Sequence, residues 1–325
     1  MASFRILLGA LSGAMLAAGT SAALGQSNWP TRSVQVISPF TAGNASDLIG
    51  RITLEQVSKQ VGQPFVIENR PGGGGTLGVA AVAKAEPDGY TILLHSSSFS
   101  SALVHHRTLP YDTLKDFTPV IPIGIQPVVL IIAPSKGYKT VAELVAAAKA
   151  NPGAMNYASA GIGSTSHMAA ERFRHAAGFK AQHVPFRGGP AALTEVMTGR
   201  VDFMTIGTGS GLPLINDGKL IPLAVTTQKR SAALPNVPTT LELGYQDSDY
   251  TFWNGFLAPA KTPKPVIARL HAEISKIVSS ADMKEKLAKQ GVEPLPLSPD
   301  EFDALMRKEI AGNLALAKAA GLKFN

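Results

Sequence analysis

The sequence has no cysteine among its 325 residues. Disulfide bonds, thiolate metal sites and a lipid anchor on an N-terminal cysteine are therefore excluded. A chain without thiols also tolerates an oxidising compartment.

Aromatic residues are sparse, at 6%, and no run of lysine or arginine forms a basic patch. The sequence therefore shows neither the aromatic residues that stack on single-stranded bases nor the basic surface that binds phosphates. We expect no nucleic-acid partner. The charge excess is modest, with 30 basic against 23 acidic side chains. A weakly positive protein suits a small anionic solute better than a polyanion.

The chain also lacks an uninterrupted apolar run of about 18 residues, the length that a membrane span needs. An uncharged, largely apolar run, residues 6–18, follows Arg5 and precedes small residues, with Ala23 at the minus-three position of a plausible cleavage point after Gly25. This pattern predicts a signal peptide over residues 1–25. The mature chain is then exported, soluble and carries a net charge of +6, since Arg5 is the one charge removed. An uncleaved N-terminal anchor is the alternative, and the short apolar run disfavours it.

Two small-residue loops join a strand-like run to a helical pattern. The first, residues 39–47, follows the apolar run Val34–Ser38, and the second, residues 157–167, precedes a helical pattern. Glycine lets a ligand approach the backbone closely, and the free N–H groups at a helix start favour an anion. A pair of ordinary strand-to-helix turns is the alternative.

Strand-like runs alternate with helical patterns along the whole chain, which favours parallel sheets with helices on both faces. Roughly 300 mature residues exceed one typical core. Residues 116–134 and 251–259 interrupt the alternation as apolar, proline-punctuated crossovers. We therefore expect two lobes with a cleft and hinge, lobe 1 from residues 28–127 and 252–325 and lobe 2 from residues 128–251.

A series of short motifs resembles the Bug or TctC family, the periplasmic solute receptors of tripartite tricarboxylate transporters. The motifs occur in order over essentially the whole mature chain: Pro39-Phe40 with Gly43 and Asp47, residues 66–72, 86–90, 109–112, 115–117, 156–159, 163–167 and 184–188. The resemblance implies a two-lobed type II periplasmic-binding-protein fold, with two doubly wound sheets joined by two crossover strands. It also implies ligand capture by lobe closure and delivery to a membrane permease. Asn44 and Ile162 depart from the residues common in the family, which leaves the solute's identity open.

The expected ligand-binding residues lie where strands end and helices begin. In lobe 1 they are Thr41, Ala42, Gly43, Asn44, Asp47, Ser97 and Ser98; in lobe 2 they are Gly163, Ser164, Thr165, Ser166, His167, Arg187, Gly188 and Thr208. Backbone amides of the two loops are expected to bind carboxylate oxygens, and Arg187 is the candidate cation. Asp47 is acceptor-only when ionised, so capping the helix or orienting the loop is the alternative role for it. His167 in turn either donates to a carboxylate or braces its turn.

The sequence contains parts of enzymatic motifs, but it lacks the partner residues that each motif needs. Residues 73–78 match the dinucleotide fingerprint, but His95 stands where the ribose-binding acid belongs. Ser164 and His167 lack a nucleophile elbow and an orienting acid. The histidines form no zinc-protease motif. We therefore expect no catalysis, no metal and no cofactor.

The sequence thus predicts a periplasmic receptor, a monomer, that captures a small organic acid and delivers it to an integral-membrane permease. A sensory ligand-binding module is the alternative, and a secreted hydrolase is a weaker one.

Overall fold

The computed structural model describes residues 29–40, 42–43, 45–72, 75–106, 108–186 and 188–320. The expected signal peptide, residues 1–25, lies outside them. The expected α/β fold with two sheets is confirmed. No helix in the described ranges is long and apolar enough to cross a membrane.

The first sheet has six strands in the order β11-β4-β10-β3-β1-β2. Their bounds are β1 Val34–Ser38, β2 Phe65–Asn69, β3 Thr91–Ser96, β4 Phe117–Gln126, β10 Phe252–Pro259 and β11 Glu293–Pro294. Strands β2, β1 and β3 are parallel, so their carboxyl ends share one edge. We call the unit built on this sheet lobe 1.

The second sheet has five strands in the order β7-β6-β8-β5-β9. Their bounds are β5 Val128–Ile132, β6 Asn156–Ser159, β7 Gln182–Pro185, β8 Phe203–Gly207 and β9 Ile221–Val225. Strands β7, β6 and β8 are parallel. We call the unit built on this sheet lobe 2.

Ten helices lie in the described residues. They are α1 Ala45–Val61, α2 Thr76–Ala83, α3 Ser98–His105, α4 Val141–Ala150, α5 Thr165–Ala177, α6 Gly189–Met197, α7 Thr208–Asn216, α8 Lys264–Val278, α9 Ala281–Lys289 and α10 Pro299–Ala320.

The expectation of parallel sheets needs one correction, at the crossovers. Strand β10 runs antiparallel to β3 and β4, and β5 runs antiparallel to β8 and β9. Strands β5 and β10 follow the crossovers between the sheets rather than a helix packed on their own sheet, so the βαβ connection that makes successive strands parallel does not apply to them. Each sheet therefore has a parallel half and an antiparallel half.

Both faces of lobe 2's sheet are covered, which explains its continuous apolar strands. In β5, Leu130 and Ile132 pack into one core while Val129 and Ile131 pack into the other. Alternate residues of a strand point to opposite faces, so a strand buried on both sides needs apolar residues throughout.

The chain leaves the first sheet after β4, enters the second through Pro127, and returns through Tyr250 and Thr251 into β10. Helix α10 packs on α3 of lobe 1 and on α5 of lobe 2. A small apolar cluster lies between them, which we call the hinge cluster: Val104, Val128, Met168, Ala169, Tyr250, Leu316 and Ala317.

Candidate functional site

The loop after β1 turns at Gly43, whose φ of +82° lies in the left-handed region that favours glycine. The Gly43 N–H donates to Asp47 Oδ2 at 2.9 Å. This bond folds the loop over the first turn of α1, and Ala42 and Gly43 are exposed there. Thr41 and Asn44, also expected in the site, lie outside the described residues.

Asp47 is buried in α1, with its carboxylate surrounded by donors. Arg51 Nε donates to Oδ2 at 2.9 Å, and Asn69 Nδ2 donates to Oδ1 at 2.8 Å. Burial alone would raise the pKa of Asp47, but the hydrogen bonds from Arg51, Gly43 and Asn69 outweigh it and hold the pKa below its usual range. The arrangement favours the loop-orienting role over direct contact with an anion.

Buried polar side chains collect at the carboxyl edge of the parallel strands in lobe 1. Ser38 ends β1, Ser97 follows β3, and Asn254 lies on β10 opposite Ser96. Ser38 Oγ, Ser97 Oγ and Asn254 Nδ2 have no hydrogen-bond partner among the described residues. Asn254 Oδ1, by contrast, accepts from Ser46 Oγ at the start of α1. Because unpaired buried polar groups are costly, three at one edge indicate a place for bound water or solute.

Ser97 and Ser98 therefore lie at a place suited to bound water or solute, rather than in an ordinary polar turn. Ser98 begins α3, and its Oγ lies 3.0 Å from Ser96 Oγ. Neighbouring His95 is buried, which lowers its pKa to about 4, and its ring contacts Phe40 and Phe99. A neutral His95 packs beneath the edge as an aromatic.

In lobe 2, the loop that leads into α5 is held by hydrogen bonds among its own residues. Ser164 caps α5, where its Oγ accepts the His167 N–H at 3.3 Å and donates to Gly161 O at 2.7 Å. Ser166 Oγ accepts the Ala160 N–H at 2.8 Å. Gly163 N–H donates to His167 Nδ1 at 3.1 Å. These bonds fix the loop at the helix start, with Gly163, Ser164, Thr165, Ser166 and His167 together.

Two stacked histidines support this loop from below. The rings of His167 and His183 lie 3.9 Å apart and nearly parallel. His183 Nε2 lies 2.6 Å from Ser159 Oγ, at the end of β6. Burial lowers the pKa of His183, with the charge of Glu171 opposing the change. The pattern fits a bracing role for His167, one of the two roles expected from the sequence.

The remaining expected residues that are described in lobe 2, Gly188 and Thr208, lie in two different places. Gly188 has φ +99° and donates its N–H to Ala160 O at 3.2 Å, so it lies beside the loop. Its neighbour Arg187 lies outside the described residues. Thr208 is fully buried on the other side, where Oγ1 donates to Gly291 O of lobe 1 at 3.1 Å. Both polar groups of Thr208 are used, since its N–H donates to Pro127 O.

Tyr250 and Asn254 were not expected in the site. Tyr250 packs in the hinge cluster with Val104 of α3 and with Met168 of α5, which brings helices of the two lobes to one place. The sequence offered two signals. Asn254 is an amide within the apolar run of β10, and Tyr250 lies two residues before that strand begins.

The geometry of Ser164 and His167 does not form a hydrolytic pair. Ser164 Oγ binds the His167 backbone rather than its ring, and Nδ1 of that ring accepts from Gly163. Activation of a serine needs a hydrogen bond to the imidazole itself. Among the described residues, no cluster of histidine, aspartate or glutamate could hold a metal ion.

A cavity of about 610 Å³ lies elsewhere, between α5, α10 and residues 246–251. Arg172, His175, Lys308 and Glu309 line it. Arg172 and His175 lie two or more turns along α5 from Thr165, and Tyr250 also lines the cavity, so the cavity adjoins the hinge cluster rather than the start of α5.

Comparison with known proteins agrees with the resemblance seen in the sequence. A sequence profile of the tripartite tricarboxylate transporter family receptor, TctC, matches residues 49–322. Protein BugT of Bordetella pertussis is 32% identical over 308 residues, which cover 94% of this chain and 94% of BugT.

Two solved structures with bound acids are similar to this chain. Rpa4515 of R. palustris with adipate has a TM-score of 0.79 and 33% identity, covering 91% of this chain and 100% of that one. MatC of Rhodopseudomonas palustris with bound malate has a TM-score of 0.75 and 30% identity, covering 89% and 99%.

Proposed function

Because the chain belongs to the tripartite tricarboxylate transporter family of receptors, we propose that it captures a small organic carboxylate between its lobes and delivers it to a membrane permease. The family is one of periplasmic solute receptors, which supports export through cleavage of residues 1–25. We also propose that the protein carries out no catalysis and acts as a monomer.

One observation carries the carboxylate assignment. The carboxyl edge of lobe 1 holds buried groups without partners, and Tyr250 packs against both Val104 of α3 and Met168 in the first turn of the capped helix α5. A helix start supplies N–H groups and the positive end of the helix dipole, which favour a carboxylate. Relatives that hold adipate and malate support the same ligand class.

The proposed site takes its residues from both lobes. Lobe 1 contributes the loop at Ala42 and Gly43 with Thr41 and Asn44, the hydroxyls of Ser97 and Ser98, and Asn254. Lobe 2 contributes the loop of residues 163–167 with Arg187 and Gly188. Asp47 shapes the first loop, and Thr208 holds the lobes together away from the ligand. The mixed polar set, with one cation, suits a mono- or dicarboxylate.

A thermal-shift series tests this proposal. Adipate, malate and benzoate are compared with adipamide, malamide and benzamide at equal concentration. A receptor for carboxylates should melt at a higher temperature with at least one acid and not with its amide, because binding to the folded state stabilises it. Equal stabilisation by an acid and its amide would remove the anion assignment.

A sensory module coupled to a signalling partner would bind the same solutes. A permease gene beside the receptor gene, and loss of uptake of the stabilising acid on deletion of the receptor, would favour transport. Unchanged uptake would favour the sensory role.

A further inference from the structure

The loop between β6 and α5, residues 160–164, is held at both ends by the pair of stacked histidines. Before the loop, Ser159 Oγ lies 2.6 Å from His183 Nε2. After it, in the first turn of α5, His167 Nδ1 accepts the Gly163 N–H at 3.1 Å. The two rings lie 3.9 Å apart, with 13° between their planes. A continuous path of contacts therefore runs from Ser159 through both rings to Gly163.

The hydrogen bond from Gly163 fixes the protonation state of the His167 ring. A backbone N–H only donates, so Nδ1 is the unprotonated nitrogen and the neutral ring carries its proton on Nε2. A second proton has to bind Nδ1, where it would face the Gly163 N–H. Two donors cannot form one hydrogen bond, so a charged His167 and the bond from Gly163 exclude each other.

The charged and titratable groups around the rings belong to β6 and α5. Tyr157 of β6 stacks on both histidines, and Glu171 of α5 acts on both through its charge. Burial raises the pKa of Glu171, but the hydrogen bonds from Arg174 and Tyr157 outweigh it and hold the pKa below its usual range. Burial raises the pKa of Tyr157, so its phenol stays protonated.

The Glu171 carboxylate is already bound on both oxygens. Arg174 Nε donates to Oε1 at 2.9 Å and a terminal nitrogen of Arg174 donates to Oε2 at 2.6 Å, while the Tyr157 hydroxyl donates to Oε1. The favourable effect of this carboxylate on a histidine cation is therefore shared with Arg174. Burial lowers the pKa of His183 despite the opposing charge of Glu171, so the ring is neutral at neutral pH.

We infer that the His167–His183 pair makes solute binding depend on pH: the loop keeps its solute-binding shape while both rings are neutral, and a proton on His167 Nδ1 frees Gly163 and weakens binding. This regulation rests on the proposed function, because residues 163–167 belong to the proposed site. A charge on one ring also disfavours a charge on the other at 3.9 Å, so the pair takes up its protons in separate steps.

A charge on His167 also attracts a carboxylate, which alone would strengthen binding in acid. The ring is 5% exposed, however, and the added proton is on the nitrogen that faces Gly163. The loss of the loop's shape therefore outweighs the attraction. The two effects have opposite signs, so the dependence of affinity on pH distinguishes them.

Calorimetry with adipate between pH 8 and pH 5 tests the inference. His167→Asn supplies an amide oxygen that accepts from Gly163 and cannot ionise. The affinity of wild type, divided by that of His167→Asn at the same pH, should fall about 10-fold from pH 8 to pH 5, because a histidine ordinarily titrates at about pH 6.5. This ratio cancels the protonation of adipate itself.

Two further variants check the cause. His167→Leu has no acceptor for Gly163 and should bind adipate more weakly than His167→Asn at pH 8. The matched control is His175→Asn, which removes an exposed histidine from the same helix. The affinity of wild type divided by that of His175→Asn should stay constant over the whole pH range.

NMR of the free protein gives a readout that needs no solute. With ¹⁵N-labelled histidine and glycine, the His167 ring should show an unprotonated Nδ1 at pH 8. As this nitrogen gains its proton, hydrogen exchange at the Gly163 amide should become faster than the intrinsic effect of pH accounts for. In His167→Asn the exchange should follow the intrinsic effect alone.

A ratio of wild-type to His167→Asn affinity that stays flat, or that rises toward pH 5, would overturn the inference. So would a protonated Nδ1 at pH 8, or a Gly163 amide that stays protected once the ring is charged. Failure of wild type to bind adipate, malate or benzoate at pH 8 counts against the proposed function instead. The NMR titration then decides whether the histidine pair controls the loop.

Discussion

Replacement of Glu309 by glutamine should change how the stability of the protein depends on pH. Glu309 lies on α10, where Trp253 Nε1 donates to its Oε2 at 2.8 Å. Burial raises the pKa of this carboxyl to about 7, and the charge of Asp249 adds to the rise. The hydrogen bond from Trp253 and the charge of Arg172 oppose it.

The direction and size of this change in stability follow from the linkage between proton binding and folding. The pKa of Glu309 is 4.5 before folding and about 7 in the fold, so the fold favours the protonated form. Its contribution is fully present below pH 4.5 and is lost as pH rises through about 7. Each pH unit in this window corresponds to about 1.4 kcal/mol, which gives about 3 kcal/mol in total. Glu309 lines the adjoining cavity, where solvent would screen the charge, so this is an upper value.

Glu309→Gln keeps an oxygen that accepts from Trp253 but cannot ionise. The free energy of unfolding of the variant, minus that of wild type, should therefore rise by up to about 3 kcal/mol between pH 4.5 and pH 8. Urea unfolding followed by circular dichroism at several pH values measures this difference. His95 has the opposite slope, because its pKa of about 4 means that stability is lost as pH falls from 6.5. The difference between variant and wild type cancels that effect.

The control is Glu285→Gln, an exposed carboxyl whose pKa is lowered by Lys289. It should show no rise over the same range. A difference for Glu309→Gln that stays flat, or that falls toward pH 8, would refute the buried protonated carboxyl.

Four further predictions concern binding, motion and packing. Gly43→Val should abolish most carboxylate binding in calorimetry, since valine disfavours φ +82°, whereas Gly137→Val, at φ +79° and equally uncrowded, should not. Ser164→Ala should weaken binding less and cost about 1 kcal/mol of stability, as should the matched cap change Thr140→Ala without any loss of binding. Small-angle scattering should show a smaller radius of gyration with a saturating acid, and an unchanged radius would contradict a hinge receptor. Gly291→Ala should destabilise the protein by about 1–3 kcal/mol in urea unfolding, because its Cβ would lie 2.7 Å from Gly209 N across the lobes; full stability would show that the contact can relax.

Much of the fold could be predicted because the strands carry continuous apolar, β-branched runs. The predicted strand Val34–Ser38 has the same bounds in the structure. The resemblance to the Bug or TctC family is confirmed by the profile match and by BugT.

Helices α3 and α7 have sequences that favour turns rather than helices. Helix α3 contains three serines, which favour caps and turns, and is held by packing against α10. Helix α7 contains Gly209, Gly211 and Pro213. A Cβ at Gly209 would lie 2.6 Å from Gln290 O, so this glycine serves the contact between lobes rather than a loop.

The site was harder to predict than the fold because its contacts join distant segments. Ser46 and Asn254 are 208 residues apart, and no local pattern shows that they meet. The two glycine loops were visible in the sequence. Their internal bonds, such as Gly43 N–H to Asp47, were not, and the set of ligand-binding residues stays a prediction.

The central claim is tested most directly by a crystal structure of the protein bound to the acid that gives the largest rise in melting temperature. The account predicts a carboxylate between the lobes that contacts both the Gly43 loop and the start of α5 at residues 163–167. An acid bound to one lobe alone, or in the cavity between α5 and α10, would contradict it.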